Sequence, residues 1–267
     1  ETYRDEAGYF DAFSHDKWLL HTWSLSVEWQ FYLLLPLILW GLNKVCKTPK
    51  SLFNVLLGLT VIGFIVCFDK TNKAPENAFF LLKYRCWEML AGVLVFLLPK
   101  AYPAVSASLS HQKLSHYLTV LGLALVILST VYFNHSTPWP GIYAAIPVLA
   151  TTLLILLNQQ FSIYQHPLIT WFGSRSYSLY LWHWPLVVLL AYFSVSQQMV
   201  WVVLAITSSL LAAELSYRFI EEPIRKTQLN RFLLPALILV TAAFIGGAAQ
   251  WVMINKGFPH RVSEEVR

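Results

Sequence analysis

The sequence predicts an all-α fold, a polytopic transmembrane helical bundle with about eight spans. Of its 267 residues, 57% are hydrophobic and 12% are charged, and the mean hydropathy is +0.53. The charged share is about half that of an ordinary globular protein. A soluble core cannot bury so much apolar surface, whereas membrane-spanning helices require it.

Eight apolar runs carry this prediction. A helix needs ~20 apolar residues, with a rise of ~1.5 Å each, to cross a hydrocarbon core ~30 Å thick. The runs, all close to that length, are Trp23–Leu42, Leu52–Phe68, Ala78–Leu98, Tyr117–Phe133, Gly141–Leu157, Ser176–Phe193, Val200–Phe219 and Phe232–Ile254. They leave residues 1–22 as an external segment, 23–254 as the membrane domain and 255–267 as an external tail.

The charges in the loops predict that residues 1–22 and 255–267 lie outside the membrane. Most Lys and Arg residues between spans fall in the loops that this orientation makes cytoplasmic, which are 43–51, 99–116, 158–175 and 220–231. This asymmetry follows the positive-inside rule. The formal net charge of +5 forms no basic stripe, so no nucleic-acid partner is expected.

Other residue patterns narrow the class further. The three cysteines lack CxxC spacing, and no pattern of metal ligands predicts a metal site. The chain begins at Glu1 with no signal peptide, which predicts a fragment of a longer protein.

The first motif, HTWSLSVEWQFYLLLP, opens the first span at His21. On a helix, His21, Ser24 and Glu28 share one face. A carboxylate at membrane depth costs roughly 2.5–3.5 kcal/mol, so Glu28 needs a partner or a polar cavity. The stripe predicts a polar pocket that opens toward the outside; the alternative is a Glu paired for packing and a His at the membrane edge.

The second motif, KYRCWEMLAGVL, places Arg85 and Glu88 three residues apart on one face. An ion pair within the helix lowers the cost of burying both charges, and Gly92 on the same face allows a neighbouring helix to approach closely. The pair could bind a ligand or tether two helices. Arg85 could instead pair with Glu28 across the bundle.

The third motif, SRSYSLYLWHWPLVV, has Arg175 at the cytoplasmic entrance of the sixth span. Ser176, Tyr180 and His183 share one face, with His183 about two turns in. A His at depth can bind a ligand or relay protons. The alternative is a hydrogen-bonded tether to a neighbouring helix.

The fourth motif, ELSYRFIEEPIRK, ends the seventh span with charges. Its spacing predicts i, i+4 pairs between Arg218 and Glu222 and between Glu221 and Arg225, although Pro223 could end the helix first. A charged helix end that sets orientation is the favoured interpretation.

Taken in order, HTWSLSVEWQFYLLLPL, YRCWEMLAGVLV, FGSRSYSLYLWHWPLVV and RFIEEPIRK resemble the acyltransferase-3 family of bacterial inner-membrane proteins, of the O-antigen and cell-wall polysaccharide O-acetylase type. The resemblance covers essentially the whole chain. It implies a multi-pass enzyme that transfers acetyl from cytoplasmic acetyl-CoA to a hydroxyl of an external glycan, with no bound cofactor. In many members the tail leads into an external SGNH-type domain.

The resemblance also implies site residues. Family motif positions are occupied by Glu28, Arg85, Glu88, Tyr180 and His183, and Arg175 is added for its place at the cytoplasmic entrance. Of these, Glu28 and His183 are predicted to be catalytic, and Arg85, Glu88, Arg175 and Tyr180 to bind substrate or coenzyme. The family's proposed catalytic His, its accompanying Arg and an Arg-rich coenzyme motif precede the first motif and have no counterpart in this chain, so no residue is carried over from the family for those roles. The 267-residue piece alone is therefore expected to be inactive.

Two other functions are consistent with charged residues inside the predicted spans. A secondary transporter or flippase would also place Glu, Arg and His along a substrate path, although no inverted repeat is evident. A non-catalytic membrane scaffold would tolerate substitution of every intramembrane charge.

Overall fold

A computed structural model describes residues 18–134, 137–157, 165–226 and 233–255. Within these ranges the chain is helical and contains no strand, which confirms the all-α prediction. The helices are a short 3-10 turn Leu20–Thr22, α1 Trp23–Val45, α2 Pro49–Lys73, α3 Pro75–Phe80, α4 Leu82–Ala101, α5 Pro103–Leu109, α6 Gln112–Tyr132, α7 Gly141–Leu157, α8 Pro167–Tyr192, α9 Met199–Ser216, a π-helical turn Tyr217–Glu221, α10 Glu222–Lys226 and α11 Leu233–Ile254. Most of the predicted external segment, residues 1–17, and the tail 256–267 lie outside the described residues.

Four stretches are long and apolar enough to cross a membrane: Leu20–Val45, Pro49–Lys73, Lys113–Tyr132 and Met199–Lys226. A fifth is added if α4 and α5, which are bent by 107° at their junction, form one broken span. The segments Gly141–Leu157 and Val240–Ile254 are apolar but shorter. The described helices thus support a multi-pass membrane protein, and the count of eight spans stays a prediction.

Helix α8 begins at Pro167, well before the predicted span start at Ser176. Proline is favoured at the first helical position because its missing N–H would have no partner there. The Nδ1 atom of His166 accepts a hydrogen bond from the Leu168 amide at 3.3 Å and caps the helix. Arg175, which was placed in a cytoplasmic loop, therefore lies inside a helix. Hydropathy marks the part of a helix that lipid can surround, whereas capping marks where it starts.

Helix α4 is the centre of the packing, in contact with α1, α2 and α7. One apolar cluster joins α1, α2 and α4 through Phe31, Leu56, Leu90 and Leu94. A second joins α2, α4 and α7 through Cys67, Tyr84, Trp87 and Ala144. These clusters place the start of α4, with its charged pair, beside the start of α1.

A side chain of α2 holds the beginning of α7. The Gly141 amide donates to Thr71 Oγ1 at 3.1 Å, and the Thr71 hydroxyl donates to the Cys67 carbonyl at 2.8 Å. The first amides of a helix have no partner within it, so Thr71 supplies one from a neighbouring helix. Together these hydrogen bonds tie α7 to α2.

No neighbouring helix that the structure describes makes the close approach that Gly92 would allow. In the described part of the chain, a Cβ built at Gly92 meets no heavy atom within 4 Å. A close approach occurs instead at Gly122 of α6, where a Cβ would lie 2.9 Å from Cδ2 of Leu154 on α7. A glycine allows close packing, but the neighbouring helix decides which glycine is used.

The chain divides into two compact units, Glu1–Ala213 and Glu214–Arg267. In the second unit, Glu221 pairs with Arg225 as predicted, so Pro223 does not prevent that contact. The other predicted pair was Arg218 with Glu222. Arg218 instead pairs with Glu214, and Glu222 pairs with Lys226. The π-helical turn accommodates Pro223, because a wider turn relieves its clash with the preceding turn.

Candidate functional site

The first and third motifs meet through Tyr180. Its hydroxyl donates a hydrogen bond to the backbone carbonyl of His21. The hydroxyl oxygen of Ser24 lies 2.7 Å from the hydroxyl oxygen of Tyr180. Because the single proton of Tyr180 is given to the carbonyl, the Ser24 hydroxyl donates to Tyr180. Two hydrogen bonds therefore hold the beginning of α1 against the middle of α8.

Aromatic rings surround the His21 side chain. Its ring centroid lies 5.3 Å from Tyr180, 5.8 Å from His183 and 6.2 Å from Trp184. These four residues are called the His21 cluster below. Leu20 and Val188 pack against Trp184 and close one side of it.

The His21 side chain is only 1% exposed, although the sequence places it at the membrane edge. Both ring nitrogens are buried, and neither makes a hydrogen bond to any described residue. The Leu181 carbonyl lies near the ring without normal hydrogen-bond geometry. A buried polar group without a partner costs about 1–3 kcal/mol, so this burial requires an explanation.

The backbone fixes the protonation pattern of His183. Its Nδ1 lies 3.2 Å from the Leu179 carbonyl. A carbonyl only accepts hydrogen bonds, so Nδ1 carries the proton, and Nε2 of the neutral ring is an acceptor. His183 can therefore take a proton at Nε2.

Arg85 and Glu88 form the predicted pair within α4. The Arg85 Nη2 atom lies 2.9 Å from Glu88 Oε2, and Nε lies 3.2 Å from both carboxylate oxygens. The side chains are 18% and 16% exposed. The guanidinium carbon also lies 5.0 Å from the Trp23 ring and 5.7 Å from the Phe79 ring. The pair thus satisfies its own charges and attaches α4 to the start of α1 next to Ser24.

Glu28 lies on the face of α1 that the stripe predicts, one turn after Ser24, and is exposed. It makes no ion pair or hydrogen bond with a residue that the structure describes, and Arg85 is bound by Glu88 instead. Glu28 and Arg85 both lie within electrostatic range of the Tyr180 hydroxyl. Glu28 thus follows Ser24, which binds Tyr180 of the cluster, by one helical turn, and its catalytic role stays a prediction.

The structure shows local contacts on α8 for Arg175 and Ser176, two further polar residues of the third motif. Arg175 Nη1 donates to Ser174 Oγ at 2.8 Å, and its guanidinium carbon lies 5.0 Å from the Trp171 ring. Ser176 is exposed and donates to the Gly173 carbonyl at 3.0 Å. Of the predicted polar track, only Tyr180 and His183 join the cluster.

The described ranges contain no group of three or more His, Cys, Asp or Glu side chains that could hold a metal ion. Cys46, Cys67 and Cys86 are free thiols, and Cys67 is buried as a small apolar residue would be.

A family model described as an acyltransferase domain matches residues 3–218. The chain belongs to the acyltransferase-3 family. The match includes all the residues of the His21 cluster and the Arg85–Glu88 pair. The family resemblance that the four motifs carry is therefore confirmed.

Several proteins similar to this chain are named as O-acetyltransferases. The chain is 28% identical over 229 residues to the peptidoglycan O-acetyltransferase OatA of Listeria monocytogenes, covering 82% of this chain and 37% of that protein. It is 32% identical over 239 residues to the O-acetyltransferase OatA of Staphylococcus aureus strain NCTC 8325, covering 84% and 39%. A putative O-acetyltransferase of S. aureus strain COL is 30% identical over 237 residues, covering 83% and 38%.

The chain thus spans less than two fifths of the length of these relatives. No solved structure is significantly similar to it.

Proposed function

We propose that the chain is the membrane domain of an O-acyltransferase that moves acetyl from cytoplasmic acetyl-CoA to a hydroxyl of an external cell-surface glycan. Family membership and the names of the relatives support the reaction type. Peptidoglycan is the first acceptor to test because one relative is named for it, and O-antigen is the second. The observation that carries the proposal is the meeting of two family motifs at Tyr180, which places His183 in a cluster largely shielded from solvent.

The proposed chemistry uses His183 as the general base. Its Nε2 takes the proton of the acceptor hydroxyl, whose oxygen forms a bond to the acetyl carbonyl carbon. The bond from that carbon to the coenzyme sulfur breaks, and the proton passes to the departing thiolate. A positioned base of this kind contributes about 10²–10⁴-fold to the rate, and exclusion of water protects the acetyl group from hydrolysis.

The other predicted residues take supporting roles in this proposal. Tyr180 positions the 3-10 turn before α1 through the His21 carbonyl. Glu28, on the same face of α1 as Ser24, orients the acceptor hydroxyl. Arg85, held by Glu88, presents a guanidinium group near the start of α1 that can donate hydrogen bonds to a substrate oxygen. Arg175 lies about a turn and a half before Tyr180 on α8, where a cation would attract the coenzyme phosphates.

The proposed location is the cytoplasmic (inner) membrane of a bacterium, with the chain crossing it several times. This orientation leaves the start of α1 outside and gives the coenzyme access from the loops rich in Lys and Arg. The tail would then lead outward, toward an external SGNH-type domain in the complete gene product.

The test uses the complete gene product in inverted membrane vesicles supplied with radiolabelled acetyl-CoA. We expect labelled glycan to form with wild type and with an exposed-histidine control, His116→Ala. We expect His183→Ala to lower transfer by about 10²-fold or more while the protein remains folded. Glycan or sugar movement without any dependence on acetyl-CoA would overturn the proposal in favour of a transporter.

A further inference from the structure

We propose that His21 is a positioning residue for His183, and that its buried ring accepts a hydrogen bond from the His183 imidazolium that forms during acyl transfer. This inference rests on the function proposed above. It assigns a role to a side chain that the proposed reaction does not use.

The first support is the condition of the His21 ring. It is 1% exposed, and its two nitrogens have no hydrogen-bond partner in the described ranges. A phenylalanine would fill the same aromatic surroundings without leaving polar atoms unpaired. Buried polar groups that lack a partner in the resting protein are expected where the reaction, a ligand or a water molecule supplies one.

The second support is the position of the ring beside the proposed base. The centroids of His21 and His183 lie 5.8 Å apart, and the planes are at 78°. This separation suits a water-mediated hydrogen bond, or a direct one after a ring rotates. The Tyr180 hydroxyl already donates to the His21 carbonyl and accepts from the Ser24 hydroxyl, so its oxygen is less available to accept a further hydrogen bond than the His21 ring, which is unpaired within the described ranges.

The third support is how firmly residue 21 is held. Tyr180 binds its backbone carbonyl, and the Ser24 hydroxyl braces Tyr180 from the first turn of α1. The neighbouring Leu20 packs on Trp184 and Val188 of α8. The backbone of His21 is thus fixed to the helix that carries His183, as a positioning residue requires.

The electrostatic reason follows from the reaction. When Nε2 of His183 gains the hydroxyl proton, a neutral ring becomes a cation in apolar surroundings, where charge is unfavourable. The neutral His21 ring has one nitrogen without a proton, and this atom can accept a hydrogen bond from the new N–H group. Charge-assisted hydrogen bonds are among the stronger ones, so this contact stabilises the protonated base. The proton stays on His183 until it passes to the leaving thiolate, and His21 returns to its original state.

The decisive variant is His21→Phe, which keeps the ring volume and removes both nitrogens. In inverted vesicles we expect kcat for acetyl transfer to fall about 10–100-fold, by analogy with the loss on removing the hydrogen-bond partner of a metal-bound histidine. The KM for acetyl-CoA should stay within about twofold, because the proposal gives His21 a contact with His183 and none with the coenzyme. The matched control is His116→Phe, at an exposed position, which should leave both constants unchanged.

A second variant, His21→Gly, separates a packing role from a polar one. Added imidazole should restore transfer in this variant, whereas pyrrole, a ring of equal size without a basic nitrogen, should not. Equal rescue by both rings would overturn the proposal, as would His21→Phe with wild-type kcat. This rescue experiment decides the matter even if His21→Phe fails to accumulate in the membrane.

The outcomes also separate this inference from the proposed function. If His183→Ala abolishes transfer and His21→Phe is fully active, His21 has no such role and the acyltransferase assignment stands. If wild-type vesicles transfer no acetyl group, the function itself fails.

Discussion

The hydroxyl of Tyr180 donates to the backbone carbonyl of His21, a residue 159 positions earlier in the chain. This one contact attaches the start of α1 to the middle of α8 and brings two family motifs into a single site. It also uses the only proton of the Tyr180 hydroxyl, so that residue 180 supports the site rather than donating a proton to a substrate.

Tyr180→Phe should therefore weaken the joint between α1 and α8. The change removes two hydrogen bonds, each with a net value of about 0.5–1.5 kcal/mol, and leaves the His21 carbonyl without its donor. We expect a lower thermal unfolding temperature in detergent and reduced acetyl transfer. Tyr177→Phe, on an exposed side of the same helix, is the control. Equal stability of the two variants would contradict this account of the joint.

Glu88→Gln should leave the Arg85 guanidinium partly buried without its counter-charge. Breaking a buried pair by removing one partner costs about 3–5 kcal/mol, and a pair that is 18% and 16% exposed should fall at the low end of that range. Asp69→Asn breaks the exposed pair with Lys73, which is worth only about 0.2–1 kcal/mol. Unfolding of the two variants measured side by side should show the larger loss for Glu88→Gln. A loss no larger than that of Asp69→Asn would show that the pair is not a structural tether.

Glu28 should lie in a water-accessible site that opens to the outside. In a background without Cys46, Cys67 and Cys86, a Glu28→Cys variant should react in intact cells with a thiol reagent that cannot cross membranes. Leu33→Cys, on an exposed apolar part of α1, should react little because lipid covers it. Glu28→Gln should lower acetyl transfer roughly tenfold or more. Failure to label Glu28→Cys, together with normal transfer by Glu28→Gln, would remove this residue from the site.

The two glycines should respond differently to alanine. At Gly92 the added methyl group meets open space, so Gly92→Ala should stabilise the helix by about 0.5–1 kcal/mol through its propensity. At Gly122 the methyl group meets Leu154 at 2.9 Å, and overpacking costs about 1–3 kcal/mol, which cancels or exceeds that gain. Thermal unfolding of both variants measures the difference, and an equal shift would contradict the packing of α6 on α7.

Local spacing predicted two contacts correctly. The Arg85–Glu88 pair and the Glu221–Arg225 pair both lie within one or two turns of a helix, and both form. Helical geometry alone brings such residues together, so the sequence is sufficient to find them. Arg85 could instead have paired with Glu28, which lies on another helix. Spacing along the chain could not decide whether Glu28 or Glu88 is its partner.

Sequence analysis could not predict that His21 is buried. A histidine before the first apolar residue of a span normally lies at the membrane edge, and hydropathy offers no sign of a covering helix. Trp184 and Leu20, which complete its surroundings, look like ordinary apolar residues in the sequence. The only indication was that His21 shares a helical face with Ser24.

By itself, the sequence determined the all-α membrane class, the approximate positions of the helices and the family, because these depend on composition, on hydropathy over about 20 residues and on local motifs. The tertiary structure decided which polar residues meet: Tyr180 with His21 and Ser24, His183 with His21, and Arg85 with Trp23. The physical reason is that a helical period fixes which residues share a face, whereas packing between helices far apart in the chain fixes what that face contacts.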